Sequence, residues 1–284
     1  MKSVSDPKAR AMLGCSALMA GLVGAVMVAG IIGVVIALMT GTGLADLSEG
    51  EIGALPLAAL TLIQFALFTG VAILCAWTIS TKPLLRAMGA TKVAGGAVAL
   101  GFVAGATVGR LPTFVVEYLV VHGIADADAL AMMGNTLQNA SGPAFVLLLF
   151  SLCIAAPVVE ELVFRGVLWD FLAEGLPPWA VWLATSAIFA AYHADPLWIA
   201  AVFPIGLLMG WLRMVTGSVW PAMAAHFANN SLAIGLAEVG YGESSLVQAA
   251  IGLVLTIGAA AAAWHLYYRR QTEGDDEATA PASP

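Results

Sequence analysis

Three polar groups interrupt an otherwise apolar second half of the chain. They are Glu160, Glu161 and Arg165 in Pro157-Val158-Val159-Glu160-Glu161-Leu162-Val163-Phe164-Arg165, His193 closing Phe189-Ala190-Ala191-Tyr192-His193, and His226 with Asn230 in His226-Phe227-Ala228-Asn229-Asn230. Glu161 and Arg165 stand at i and i+4 with the acid N-terminal, the favourable order for an ion pair on one helix. Glu160, about 100° around the same helix, is left outside that pair. His226 and Asn230 share the i, i+4 spacing and aim two hydrogen-bonding groups from one helix face at one point. A carboxylate enclosed among apolar helices, with an imidazole beside it, can act as a general base toward water. His226 and Asn230 then offer donors to the negative oxygen of a tetrahedral intermediate, each typically worth about 2.7–4 kcal/mol. The set suits peptide-bond hydrolysis without a covalent intermediate. The plainer alternative makes Glu161 and Arg165 a buried structural pair and the histidines packed interhelical donors. No His-Glu-x-x-His helix, Gly-x-Ser-Gly or Gly-x-Gly-Asp segment offers another protease chemistry.

These residues must be positioned by membrane helices. Of 284 residues, 61% are hydrophobic and 10% charged, whereas soluble globular chains carry about a quarter charged residues. That balance excludes a soluble enzyme. Long apolar runs bounded by charges, Gly or Pro lie near 11–39, 53–79, 93–121, 144–172, 178–193, 196–212, 218–237 and 245–268, and about 20 residues cross the hydrocarbon core. The expected fold is an all-α polytopic bundle of about eight transmembrane helices. The first run, though preceded by Lys2, Lys8 and Arg10, is too long for a cleaved signal core and reads as a retained span.

With both termini inside, Lys2, Lys8, Arg10, Lys82, Arg86, Lys92, Arg213, Arg269 and Arg270 all fall on the cytoplasmic side, as the positive-inside rule requires. Asp46, Glu49, Glu51, Asp126, Asp128, Asp195, Glu238 and Glu243 fall outside. Trp77, Trp169, Trp179, Trp182, Trp211, Trp220 and Trp264 sit near cytoplasmic span ends, as an interfacial belt would. The 30 glycines suit close helix contact in lipid. Cys15, Cys75 and Cys153 read as small packing residues, with no disulfide framework. The net charge of −7 and the membrane setting give no nucleic-acid partner.

Glu160, Glu161 and Arg165 together represent roughly 8–10 kcal/mol if unpaired in a span, so they must be paired and face protein or water. At about 1.5 Å per residue from the cytoplasmic ends, Glu160 and Asn230 lie roughly 18 Å deep, His226 about 12 Å and His193 about 22 Å. All four can converge near mid-membrane. His122 and His265 fall at span ends and are assigned to the interface. Arg110 and Glu117, seven residues apart around Pro112, either pair structurally or line a substrate path.

In order and spacing, Glu160-Glu161-x-x-x-Arg165, Phe189-x-x-x-His193 and His226-x-x-x-Asn230 resemble the motifs of the CPBP family, the Rce1-type CAAX prenyl proteases and the bacteriocin-processing or immunity proteins. The resemblance covers roughly residues 143–240. It implies an eight-helix intramembrane endopeptidase acting on a membrane-associated protein or peptide, prenylated or not. Glu160 would activate water with His193 as its partner. His226 and Asn230 would stabilise the oxyanion, and Glu161 and Arg165 would orient the site. The same family includes immunity-type proteins, so a non-catalytic binding protein of this fold is the alternative. Its metalloprotease label would place zinc on Glu160, His193 and His226. Asn230, a good anion donor and poor zinc ligand, favours the metal-free version. The resulting division is 1–142 for the first three helices, 143–240 for the catalytic helices, 241–270 for the last helix and 271–284 for a disordered acidic tail. The lipid bilayer is the other expected partner, and a bacterial inner membrane the expected location.

Overall fold

A computed structural model of the chain describes residues 6–39, 53–124, 136–238 and 245–268, which contain helices and no strand. Eight rods follow the eight apolar runs. They are α1 (Pro7–Met39), α2 (Ala54–Ile79), α3 (Gly95–Val121), α4 (Gly142–Leu172), α5 (Pro178–Ala191), α6 (Pro196–Thr216), α7 (Trp220–Glu238) and α8 (Leu246–Tyr267). Six of them, α1 to α4, α6 and α8, are long and apolar enough to cross a membrane. The chain is an all-helical, polytopic integral membrane protein. α5 has only 14 residues, and α7, a continuous helix, carries the polar side chains His226, Asn229 and Asn230. The two rods that do not read as full apolar spans are thus two of the three that carry the polar groups.

Contacts at the rod ends fix an alternating up-and-down order. Arg10 before α1's first turn is complete pairs with Glu174 after α4 (2.8 Å). Lys82, beyond α2, pairs with Asp170 near the end of α4. The segment between α2 and α3 meets the α6–α7 turn, with Val219 N–H donating to the Gly89 carbonyl (3.0 Å) and Thr91 Oγ1 to the Gly217 carbonyl (2.8 Å). Trp211 of α6 stacks on Trp264 of α8. One end of the bundle therefore gathers the starts of α1, α3 and α7 with the ends of α2, α4, α6 and α8, together with Arg10, Lys82 and Arg213. Lys2, Arg269, Arg270, the acidic residues Asp46, Glu49, Glu51, Asp126, Asp128 and Glu243, and the tail 271–284 lie outside the described residues.

Small residues bring helices together beside a core that also buries Phe68, Phe164, Phe171 and Phe189. α1 buries Leu18, Leu22, Ala25 and Ala29 at spacings of four, three and four, and exposes Met12, Met27 and Ile31. In water such a face would be an association liability; in lipid it needs no cover. α3 lies closest to α7 through Gly101, Gly105 and Gly109. A Cβ on Gly101 would stand 2.3 Å from the Pro221 carbonyl oxygen, and one on Gly105 would stand 2.0 Å from that of Ala225. Backbone touches backbone here, which is the use lipid-embedded helices make of Gly-x-x-x-Gly spacing. This contact matters for the site because it sets the height and rotation of α7, and with them His226 and Asn230.

Gly105→Ala should accordingly destabilise the purified protein by about 1–3 kcal/mol, since neither backbone can yield without moving a whole helix. Gly24→Ala on α1, where an added Cβ meets nothing within 4 Å, should leave the unfolding midpoint unchanged or slightly raised. Thermal or denaturant unfolding of the two variants in the same detergent measures the contrast.

Candidate active site

α4 is not a uniform helix. Its α-helical turn Ala156–Glu161 is flanked by π-helical segments Ser151–Ala155 and Leu162–Leu168. Such widened turns recur at functional sites because they rotate side chains and release backbone carbonyls from the ordinary ladder. Both segments use that release. The Leu152 carbonyl accepts from Asn230 Nδ2 of α7 (2.9 Å), and the Arg165 carbonyl accepts from Arg213 Nε of α6 (2.9 Å). Two side chains from later helices thus register α6 and α7 against α4.

Glu161 and Arg165 form the expected i, i+4 pair, with Nη1 donating to Oε1 at 2.9 Å and both side chains fully buried. Arg165 also donates from Nη2 to the Gly206 carbonyl of α6 (2.9 Å), and its guanidinium lies 4.3 Å from the centroid of the Phe189 ring of α5. A carboxylate paired with a guanidinium accepts hydrogen bonds and cannot donate. The nitrogen facing Glu161 Oε1 at 3.1 Å, His226 Nδ1, is therefore the protonated one. That bond turns His226 Nε2 toward Glu160, whose Oε2 lies 3.8 Å away. Glu160 and His226 are almost closed off from the surface, at 6% and 5% exposure.

His193 sits at the end of α5, where its Nδ1–H donates to the Phe189 carbonyl (3.1 Å) and leaves Nε2 as the available nitrogen. Its ring meets Phe189 edge-on, as does that of His226. Phe189 is thus the wall against which both imidazoles and Arg165 are held. The turn after His193 is tight. Ala194 adopts φ 63°, a left-handed conformation that strains a residue bearing a Cβ, and Asp195 Oδ1 caps α6 by accepting from the N–H groups of Leu197 and Trp198 (2.9 and 3.0 Å). Asn230 is anchored through Leu152, and its Oδ1 accepts from Asn229 Nδ2 (3.2 Å).

Glu160, His193, His226 and Asn230 line one cavity of about 620 Å³. This is in the range of small-ligand and peptide sites. Glu161 and Arg165 do not line it; they lie behind the wall and hold it. Within ion-pair distance of Glu160, the described residues place His226, and not His193, which belongs to the same cavity at a greater separation. The cavity also includes Thr61 and Gln64 of α2, Thr113 and Arg110 of α3, Tyr192 and Asn229. Gln64 Nε2 donates to the Tyr192 hydroxyl. Sequence reasoning named Arg110 as a residue that could line a substrate path but assigned no role to Thr61, Gln64, Thr113, Tyr192 or Asn229. Thr61 and Gln64 were findable as polar residues one turn apart in an apolar run, and Asn229 as the neighbour of Asn230.

As a zinc set, Glu160, His193 and His226 are not close enough together: among the described residues no three His, Cys, Asp or Glu side chains are placed to hold a metal ion. Cys15, Cys75 and Cys153 are free thiols. His122 caps the end of α3 and stacks on Tyr118.

Residues 142–232, from the start of α4 to the middle of α7, match the family model of the type II CAAX prenyl endopeptidases, Rce1-like. The match contains all three motifs and bears out the family resemblance they carry. At family level it supports a CAAX-type intramembrane protease. No curated protein and no solved structure matches the chain.

Breaking the buried pair should be worse than removing it. Arg165→Met leaves the Glu161 carboxylate without its cation and should cost about 3–5 kcal/mol. Glu161→Gln combined with Arg165→Met should recover a large part of that stability. Unfolding midpoints of the single and double variants give the coupling.

Proposed function

We propose that the chain is an intramembrane endopeptidase that hydrolyses a peptide bond of a membrane-associated protein or peptide, prenylated or not, with water activated by Glu160. The observation that carries this reading is the placement of Glu160, His193, His226 and Asn230 on the wall of one cavity, three of them within helices of the bundle.

In this mechanism a water molecule sits against Glu160 Oε2 and is oriented by the lone pair of His193 Nε2. Glu160 removes its proton as the oxygen attacks the carbonyl carbon. The new C–O bond forms as the carbonyl π electrons move onto oxygen. His226, held protonated on Nδ1 by Glu161, offers Nε2–H to that oxyanion from its imidazolium form. Asn230 offers the amide proton that Leu152 does not take. Collapse of the intermediate breaks the C–N bond while Glu160 returns its proton to the leaving nitrogen. Arg165 touches no substrate; it fixes Glu161, which fixes His226. No step runs through a metal, and the favoured reading has no cofactor. A plasma membrane of a bacterium, cations facing the cytoplasm, is the setting this reading assigns.

The decisive comparison is cleavage of a quenched peptide library, prenylated and unprenylated, by purified wild type and Glu160→Gln, each before and after exhaustive chelation. Wild type should cut after chelation as before it, and Glu160→Gln should lose at least a hundredfold in kcat. Cleavage abolished by chelation and restored by zinc would move the chemistry to a metal; full activity in Glu160→Gln would end the glutamate mechanism. The rate should also fall on the acid side as the catalytic base Glu160 takes up a proton; a rate in single turnover that does not fall with decreasing pH would contradict that role.

A further inference from the structure

We infer that Arg110 is the anion-receiving group of the cavity, and that the anion is a carboxylate carried by the peptide substrate. The inference rests on the endopeptidase reading and names a feature of its substrate. Arg110 lies in the middle of the α3 span, just beyond the glycine stripe that packs on α7, and lines the same cavity as Glu160. A charge inside a span is costly and ordinarily faces a partner or a functional pathway.

Among the described residues Arg110 is in no ion pair, and its buried Nε makes no hydrogen bond. Of the acidic residues lining the cavity, Glu160 faces His226 and Asp195 caps α6. Arg110 is the one Lys or Arg in the described lining.

Its position is built rather than incidental. The side-chain stem runs over Gly252 of α8, where an added Cβ would stand 2.7 Å from Arg110 Cβ and 2.8 Å from Cγ. The preceding Gly109 abuts Asn229, a Cβ there coming within 2.6 Å of Oδ1. The stem of Arg110 is therefore supported on α8, and the residue before it packs on Asn229, which lines the same cavity as Arg110 and Asn230. A guanidinium binds a carboxylate through two parallel N–H bonds, and in a site shielded from bulk water that pairing is strong and directional. A lipid phosphate offers the same acceptor geometry. The peptide is favoured because Arg110 shares the cavity of the hydrolytic groups.

The test measures binding on the Glu160→Gln protein in phosphatidylcholine nanodiscs, so that no peptide is cut and the outcome does not depend on catalysis. The probes are a dye-labelled apolar pentapeptide with a free C-terminal carboxylate and the same peptide as its C-terminal amide. The acid should bind about 10- to 100-fold more tightly than the amide. Adding Arg110→Gln should remove that preference while leaving amide affinity unchanged, and Arg110→Lys should keep part of it. Unchanged amide affinity separates loss of the charge from loss of the fold. An acid preference that survives Arg110→Gln, equal affinity for acid and amide, or no binding of either overturns the assignment. Competition with the acid by phosphatidylglycerol in the nanodisc, absent in Arg110→Gln, overturns it in favour of a lipid phosphate. If the acid preference holds while wild type cuts no peptide, Arg110 keeps its role and the endopeptidase reading fails.

Discussion

The Glu161–Arg165 pair, with no exposure on either side chain, is the interaction around which the site helices are arranged. Two charges enclosed among apolar helices are tolerable only with good geometry and with their remaining donors and acceptors engaged. The pair meets that requirement in part, since Glu161 Oε2 and Arg165 Nε make no hydrogen bond among the described residues, and the bonds it does make tie α4 to three other rods. Arg165 reaches the Gly206 carbonyl of α6 and the Phe189 ring of α5, and Glu161 receives His226 of α7. The pair therefore does two things at once. It sets opposite charges against each other, and it fixes which nitrogen of His226 faces Glu161 and which faces Glu160.

The backbone departs from regular helix where this arrangement demands it. Between the two π segments of α4, the short Ala156–Glu161 turn presents Glu160 to the cavity and Glu161 to the interior, two adjacent acids with opposite surroundings. The widened turns would leave carbonyls unsatisfied in a region without water. Asn230 and Arg213 take up one from each. The left-handed Ala194 does similar service by turning the chain after α5, so that His193 stands three residues before the capped start of α6. These irregularities are held in place by the regular part of the bundle, above all by the close approach of α3 to α7 at Gly101 and Gly105.

Much of this was legible in the chain because lipid imposes simple rules. Apolar runs of span length gave the eight rods nearly end for end, and i, i+4 spacing gave the Glu161–Arg165 pair and the shared face of His226 and Asn230. What spacing along one helix cannot reveal is the relation between helices. It showed two imidazoles that could serve Glu160 but not that His226 is the nearer, because that depends on the rotation of α7. Nor did it show the π turns, Ser151–Ala155 and Leu162–Leu168, whose residue types do not set them apart from an ordinary helix. Thr61, Gln64 and Asn229 reach the cavity only through the packing of α2 and α7 around α4. Gly101-x-x-x-Gly105 was visible in principle, but many glycines lie in this chain, and only the carbonyls of Pro221 and Ala225 opposite distinguish these two.

The hydrolysis proposed for this cavity would also have to solve a problem of solvent. Water is a reactant, yet the apolar exterior of α1, α2 and α8 suits lipid and offers it nothing. The polar groups outside the three motifs supply what the exterior lacks. Thr61, Gln64, Thr113 and Asn229 bring hydrogen-bonding atoms to the cavity from α2, α3 and α7, and a water needs two to four such partners to reside in a buried space. The same reasoning explains why α5 and α7 are the rods that fall short of full apolar spans. Helices facing lipid all round would shut water out. Helices bordering a wet cavity can be short or polar, provided that the apolar rods around them complete the seal.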